Sequence, residues 1–227
     1  VQVALLAAWT GWRWESVPGF PSALERDSGN VLHALAELGH WPEMASLEGA
    51  LRANSAAQAW TKMVMASDRA GNTPLHLAAE RGVPVHLAEL LLASGAPVNC
   101  RNSELRTPLE LAMERHIRDT RLAVLLLRHG ANLEALETHM LTVRAPITGL
   151  SVLHHAASSE KNYDVLERML PKVESIDVAS RPLARGAAAR TPFEMARTAN
   201  ALRVLALLLN VPGERGLVLS LETLLEL

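Results

Sequence analysis

Cysteine is nearly absent from this chain of 227 residues, since Cys100 is its only one. A single cysteine excludes an internal disulfide framework and a zinc site built from several cysteines. Aromatic residues make up only 4%, and all five tryptophans lie before residue 61. No run of about 20 apolar residues is present, so the sequence predicts no membrane-spanning helix.

Concentrated charge is missing as well. The 22 basic and 24 acidic residues give a net charge of −2 and form no run of one sign. This balance argues against a nucleic acid or an anionic membrane as a partner. At 49% hydrophobic residues the chain is too apolar to be disordered, and it is long enough to bury a core.

A repeated motif is the strongest positive feature. Its clearest copy runs through Thr73-Pro-Leu-His76, and a similar motif starts at Thr107, 34 residues later. Weaker copies start at Asn30, Ser151 and Thr191. Self-similarity at this period is the mark of a repeat architecture.

Each position of the clearest copy has a physical reason. Thr73 is a good helix N-cap, worth about 1 kcal/mol, and Pro74 then falls at the first helical position, where no N–H is needed. We expect His76 to hydrogen-bond turn backbone and Gly82 to end the helix in a left-handed conformation. The leucines of 87–92 predict a second helix, which Gly95 ends. Asp68 and Asn99 are turn formers.

These residues resemble the ankyrin repeat, whose Thr-Pro-Leu-His signature stands intact at 73–76. The resemblance covers about residues 27–211. It implies an all-α ankyrin-repeat solenoid of about five helix-turn-helix units, with inner helices starting near residues 30, 73, 107, 151 and 191. Some units depart from the pattern, and we expect irregular turns there: Glu110 and Glu194 replace the histidine, Val31 and Val152 replace the proline, and Leu105 stands where the finger glycine should be.

The ends of such an array need covers, because no unit can bury its own apolar face. We interpret residues 1–26 as a Trp-rich N-terminal capping segment and 212–227 as a C-terminal capping helix. The tryptophans of the first segment (Trp9, Trp12 and Trp14) would cover the open end, or alternatively form a binding hot spot. Between the units, we expect an extra helix at 54–65 and long connections at 133–148 and 173–190.

Catalytic and metal-binding patterns are missing from the sequence. His33, His76 and His154 occupy one slot of successive units, so a structural role explains them. Cys100 is interpreted as a packed thiol. The sequence therefore predicts no enzyme, no catalytic residues, no cofactor and no metal; a site in the long connection, around Glu137, His139 and Arg144, is the weakest alternative.

In proteins with this repeat, fingertips and the exposed side of the inner helices usually line a concave binding surface. The resemblance therefore implies a partner-binding set of mixed charge, in which arginines are the expected anchors. The set comprises Arg69, Asn72, Glu80, Arg81, Glu104, Arg106, Glu114, Arg115, Ser158, Ser159 and Arg190, and Glu160 lies in the same frame.

The leading hypothesis is an adaptor or scaffold that binds another protein through its concave face and finger loops. The Arg-rich, Lys-poor composition and the irregular repeats favour one alternative, a bacterial immunity or inhibitor protein that blocks a partner enzyme. A further alternative is the ankyrin part of a host-directed effector. We expect a monomer or weak oligomer. We expect a cytoplasmic location, or secretion into a host cell if the chain belongs to an effector.

Overall fold

The computed structural model describes residues 29–53, 56–114, 120–136, 138–145, 148–173 and 190–209. Within these ranges every regular element is an α-helix or a 3-10 helix, and no strand occurs. The predicted all-α class is therefore confirmed for this part of the chain. The α-helices are α1 (Val31–Leu38), α2 (Trp41–Ala53), α3 (Ala57–Met65), α4 (Pro74–Arg81), α5 (Val85–Ala93), α6 (Pro108–Glu114), α7 (Thr120–Arg128), α8 (Val152–Ala157), α9 (Tyr163–Met169), α10 (Pro192–Thr198) and α11 (Leu202–Leu209).

Five of these helices begin one residue after the start of a sequence motif. They are α1, α4, α6, α8 and α10, which follow Asn30, Thr73, Thr107, Ser151 and Thr191. In four of these motifs the first residue lies outside the helix with extended backbone, and a capping box joins it to the third helical residue, as at Thr73 and His76. Pro74 is then the first residue of its helix, where its missing N–H costs nothing.

The chain divides into two compact units, and the first contains α1 to α6 together with residues 129–132. In this unit α4 packs between α1 and α6, while α2 and α5 pack against each other on the outer side. Leu75 and Ala78 of α4 are both fully buried. The small side chain of Ala78 lets the neighbouring helices approach closely. The turn after α4 is made by Gly82, which has a φ of 73°.

The predicted extra helix is present as α3, which packs against α1, α2 and α4. Its Trp60 is 2% exposed, and the indole N–H donates to the Ser94 hydroxyl at 2.8 Å. That hydroxyl donates in turn to the Leu90 carbonyl at 2.7 Å. Trp60 is thus a core residue that joins α3 to the end of α5.

The second unit contains α7 to α11. Here α8 packs between α7 and α10, and α9 packs against α7 and α11. The connection expected at 133–148 does not behave as a plain loop, because it contains two 3-10 helices, Leu133–Ala135 and Thr138–Leu141, and buries Leu133, Leu136 and Leu141. Two further 3-10 helices, Glu160–Asn162 and Leu170–Lys172, flank α9.

Several sequence predictions fall outside the described residues. They concern the N-terminal segment with Trp9, Trp12 and Trp14, the C-terminal helix, residues 174–189, and Arg115 and Glu137. Within the ranges that are described, no helix combines the length and the apolar character needed to cross a bilayer. The longest of them, α2, has 13 residues.

Candidate protein-binding surface

The chain preceding α4 forms a tight turn, which we call the first finger (residues 68–72). The Asp68 N–H donates to the Asn72 carbonyl at 2.9 Å, and the Gly71 N–H donates to the Asp68 carbonyl at 3.1 Å. The Asp68 carboxylate also accepts the Asn72 N–H at 2.8 Å. An aspartate that bonds backbone a few residues on is a strong turn former, so the finger is held by its own sequence.

The second finger (residues 102–106) repeats this turn before α6. The Asn102 N–H donates to the Arg106 carbonyl at 3.0 Å, and the Leu105 N–H donates to the Asn102 carbonyl at 2.9 Å. The Asn102 side-chain oxygen accepts the N–H groups of Glu104 and Arg106 at 3.0 and 2.9 Å. The prediction of an irregular turn at Leu105 is therefore wrong. The Asn102 side chain accepts the Arg106 N–H just as the Asp68 side chain accepts the Asn72 N–H, and both turns close in the same way.

The two fingers are bonded to each other at their tips. The Ser103 N–H donates to the Ala70 carbonyl at 2.9 Å, and the Asn102 amide donates to the Asn72 side-chain oxygen, also at 2.9 Å. A Cβ atom on Gly71 would lie 3.0 Å from the Ser103 nitrogen, so any larger residue would push the two tips apart by a few tenths of an ångström. We call the joined tips the finger ridge, which consists of Arg69, Ala70, Ser103, Glu104 and Leu105.

Leu105 has an unusual conformation for a leucine. Its φ is 61°, in the left-handed region where Gly71 of the first finger has 74°. Its side chain is 66% exposed. Left-handed backbone costs a residue with a Cβ roughly 1–2 kcal/mol, and no burial of the side chain offsets that cost here.

We expect Leu105→Gly to raise the free energy of unfolding by about 0.5–1 kcal/mol. Removing the left-handed strain contributes roughly 1–2 kcal/mol, and the greater freedom of glycine in the unfolded chain subtracts about 0.4–1 kcal/mol. Urea denaturation measures the difference. The matched control is Leu105→Ala, which removes the exposed side chain but keeps the strain and should give no gain; equal gains for both variants would contradict this account.

A histidine links the start of α4 to the second finger. The Nδ1 atom of His76 accepts the Thr73 N–H at 3.1 Å, so the ring proton is on Nε2, which donates to the Arg106 carbonyl at 3.1 Å. The expected bonds of His76 to turn backbone are thus confirmed. The same arrangement recurs at His33, between Asn30 and the Asn72 carbonyl, and at His154, between Ser151 and the Arg190 carbonyl.

Burial lowers the pKa of His76, although its bond to the Arg106 carbonyl acts in the opposite direction. A histidine whose pKa is lower in the folded state binds fewer protons there than in the unfolded chain. Its contribution to stability is therefore complete above the unfolded pKa of about 6.5 and declines as the pH falls below that value.

We accordingly expect the free energy of unfolding to fall between pH 6.5 and 5, and His76→Gln to make this fall shallower. A glutamine amide can accept the Thr73 N–H and donate towards Arg106, and it does not titrate. Urea denaturation at several pH values provides the measurement. As a control, His86→Gln removes an exposed imidazole from α5; a slope reduced as much by this variant as by His76→Gln would contradict the role of burial.

Glutamate replaces the histidine as the third residue of α6 and of α10, and it forms one of the two bonds that the histidine forms. The carboxylate of Glu110 accepts the Thr107 N–H at 2.6 Å, and that of Glu194 accepts the Thr191 N–H at 2.7 Å. An ionised carboxylate has no hydrogen to donate, so it cannot bond a carbonyl as Nε2 does. The cap is therefore kept in these motifs, and the donor function of the histidine is lost.

In the first unit, the predicted partner-binding residues take three kinds of position. Arg69, Arg81 and Glu104 are exposed, while Glu80 and Arg106 are half-buried. Asn72 is used inside the fingers, where its N–H, its carbonyl and its side-chain oxygen all form internal bonds. Glu114 is the last residue of α6. Its side chain and the whole of Arg115 lie outside the described part of the chain.

In the second unit, Ser158 and Ser159 are half-buried and Arg190 is exposed. The Ser158 hydroxyl donates to the His155 carbonyl at 2.8 Å, and the Ser159 hydroxyl accepts the Lys161 N–H at 3.3 Å, so both serines take part in the turn after α8.

Glu160 has a structural contact that the sequence did not reveal. Its carboxylate accepts the Arg203 N–H in the first turn of α11 at 2.8 Å. The Arg203 guanidinium lies over the Tyr163 ring, 4.6 Å from its centroid. We therefore assign Glu160 to the packing of α11 and leave it out of the binding surface. The sequence placed it on that surface only because of its spacing from the start of α8.

Groups suited to chemistry are sparse on this surface. In the described ranges no three histidine, cysteine or acidic residues are grouped so that they could hold a metal ion. Cys100 is half-buried, and its thiol lies 3.4 Å from the Pro97 carbonyl. Burial raises the pKa of this thiol, which reduces the fraction present as the reactive thiolate.

A family model described as the ankyrin repeat matches residues 70–103. The match starts at the tip of the first finger, includes α4 and α5, and ends at the tip of the second. It therefore spans one full period, with Gly71, the Thr73 cap, the His76 link and Gly82 in their places. The chain therefore contains an ankyrin repeat at residues 70–103, within a described structure that is all helical.

Proposed function

We propose that this protein is an interaction module that binds a partner protein through the finger ridge and the exposed Arg81 of α4. Ankyrin repeats are generally protein–protein interaction modules. The observation that carries the proposal is the bonding between the fingers. Because the Ser103–Ala70 and Asn102–Asn72 bonds hold both tips in place, little conformational entropy is lost when a partner docks.

The charges on this surface favour a protein with complementary charges as the partner. Arg69 and Arg81 are exposed, and Glu104 is exposed on the second finger. Arginine is enriched among residues that dominate binding energy, since its planar group can form two parallel hydrogen bonds with a carboxylate. Acidic side chains on the partner would match the two arginines, and a basic one would match Glu104.

Two further parts of the proposal come from the motif spacing. We propose five repeat units, one at each helix that follows a capping motif, and we place the array at residues 27–211. The adaptor role is our first choice, because it needs only the binding surface. An inhibitor of an enzyme would use the same surface, and the identity of the bound protein distinguishes the two.

We expect the double substitution Arg69→Glu/Arg81→Glu to weaken partner binding at least tenfold, which corresponds to about 1.4 kcal/mol. Reversed charge would oppose the acidic groups of the partner, and both positions are exposed, so the fold should be kept. Affinity capture from a lysate of the source cell, with mass spectrometry, compares this variant with the unmodified protein. The isolated partner then allows titration calorimetry.

The matched control is Lys62→Glu, which reverses an exposed charge on α3. It should leave binding unchanged, and circular dichroism should show the same helix content for all three proteins. If a protein is retained equally by the double variant and the control, the proposed surface is wrong. An enzyme among the specific partners would instead favour the inhibitor role.

A further inference from the structure

Leu105 is one of the few large apolar side chains exposed in the described ranges. The others are Met65, Val143 and Leu202, at 56, 40 and 64% exposed. Leu105 is the most exposed of the four, and of these four only Leu105 has left-handed backbone. Single exposed leucines are ordinary on protein surfaces, but a leucine at the tip of a tight turn in this conformation requires an explanation.

The fold itself does not need a leucine there. In the first finger, Gly71 closes the same turn with the same pair of backbone bonds and without strain from a Cβ. The second finger is held by the Asn102 side chain, whose bonds do not involve the side chain of Leu105. Strained residues that the surrounding structure fixes in place are concentrated at binding and catalytic sites.

The backbone of Leu105 is fixed on both sides. Its N–H donates to the Asn102 carbonyl at 2.9 Å, and its carbonyl accepts from the Arg101 guanidinium at 3.2 Å. The leucine is therefore held projecting before any partner arrives. An anchor that is already in place binds more tightly than one that must first be ordered.

We propose that Leu105 is the apolar anchor of the finger ridge and inserts into an apolar pocket on the partner protein. The exposed Glu104 adjoins it, and Arg69 lies on the neighbouring finger, so the rim of that pocket should carry both a basic and an acidic group. Burial of an apolar centre inside a polar rim is the usual arrangement of a binding hot spot. This inference rests on the proposed function and adds the chemistry of the partner.

The test uses a photoreactive diazirine analogue of leucine, incorporated at position 105 of the full-length protein and activated in the source cell. The same analogue at position 202 controls for an equally exposed leucine, and at position 70, an exposed alanine of the finger ridge, it reports on the wider surface. We expect adducts from position 105 with one protein, mapped by mass spectrometry to aliphatic or aromatic residues. Position 202 should give none with that protein.

The captured protein is then titrated against substituted forms of the chain. Leu105→Gly should weaken binding at least tenfold while raising the melting temperature, whereas Leu202→Gln should leave affinity unchanged. A residue with a merely structural role would not weaken binding while its replacement stabilises the fold.

The possible failures are distinguishable. Adducts from position 70 without any from position 105 would overturn the anchor and leave the proposed function standing. No adduct from either position would overturn both. Adducts of position 105 with a second copy of this chain, or undiminished affinity of Leu105→Gly, would also overturn the proposed pocket.

Discussion

Leu75→Ala is expected to lower the free energy of unfolding by about 2–5 kcal/mol. Leu75 is 0% exposed, and it is the second residue of α4, the helix that packs between α1 and α6. Truncation removes apolar contacts and leaves a cavity that neighbouring helices on two sides cannot both move to fill. Urea denaturation should show a lower midpoint with an unchanged slope, since the surface exposed on unfolding stays nearly the same.

The matched control for this prediction is Leu202→Ala in α11. Leu202 is also near the start of its helix but is 64% exposed, so its truncation should change stability by no more than about 0.5 kcal/mol. Comparable losses for the two variants would mean that Leu75 does not occupy the centre of a packed row of helices.

Gly71→Ala is expected to cost at least about 2 kcal/mol. Two causes add at this position. The φ of 74° places any residue with a Cβ in the unfavourable left-handed region, and the new Cβ would lie 3.0 Å from the Ser103 nitrogen and 3.2 Å from the Asn102 Cα. Both neighbours are backbone atoms held by hydrogen bonds, so relief requires the two fingers to separate. The same urea denaturation measures the loss.

Gly82→Ala separates the two causes. Gly82 has a nearly identical φ of 73°, but a Cβ there would meet nothing within 4 Å. Its substitution should therefore cost only the conformational part, roughly 1 kcal/mol. If Gly71→Ala were no worse than Gly82→Ala, the close approach of the fingers would be refuted.

The sequence predicts well the start of the five helices that follow a capping motif, because the physical cause of these helix starts is local. A residue such as Thr73 caps the helix, Pro74 fits its first position, and a histidine or glutamate three residues after the cap completes the capping box. These contacts span only a few residues, so a motif read from the sequence contains all of them. The extra helix with Trp60 was predictable for a similar reason, from a short amphipathic stretch.

The direction of a short polar side chain in a tight turn was not predictable. Asn72 was expected to face a partner, but its side chain bonds Asn102 on the next finger. Whether an asparagine points outward or inward depends on a residue 30 positions away, which no local pattern contains. The regular turn at Leu105 depends in the same way on Asn102, whose side chain overrides the preference of leucine against left-handed backbone.

Contacts between elements distant in sequence explain why the predicted and the observed roles of Glu160 differ. Glu160 occupies a position that the repeat frame assigns to an exposed helix end, yet it caps α11, which begins 42 residues later. Exposed positions such as Arg69 and Arg81 were predicted from the frame alone. The repeat frame does not show which of these polar side chains form hydrogen bonds with another element of the fold.

The histidine links give the chain a direction. In each link the buried ring belongs to the earlier motif and the carbonyl to a later one, as with His76 and Arg106. Deleting the later segment would remove the acceptor of the ring N–H together with the finger that covers it, so this N–H would bond only water. Deleting the earlier segment would only return a carbonyl to water, and the Arg106 carbonyl would keep its bond to the Asn102 N–H. Shortening such a chain is therefore asymmetric for this link: loss of the later segment takes the protein partner of the His76 Nε2–H away, whereas loss of the earlier one leaves the Arg106 carbonyl with a bond inside its own finger.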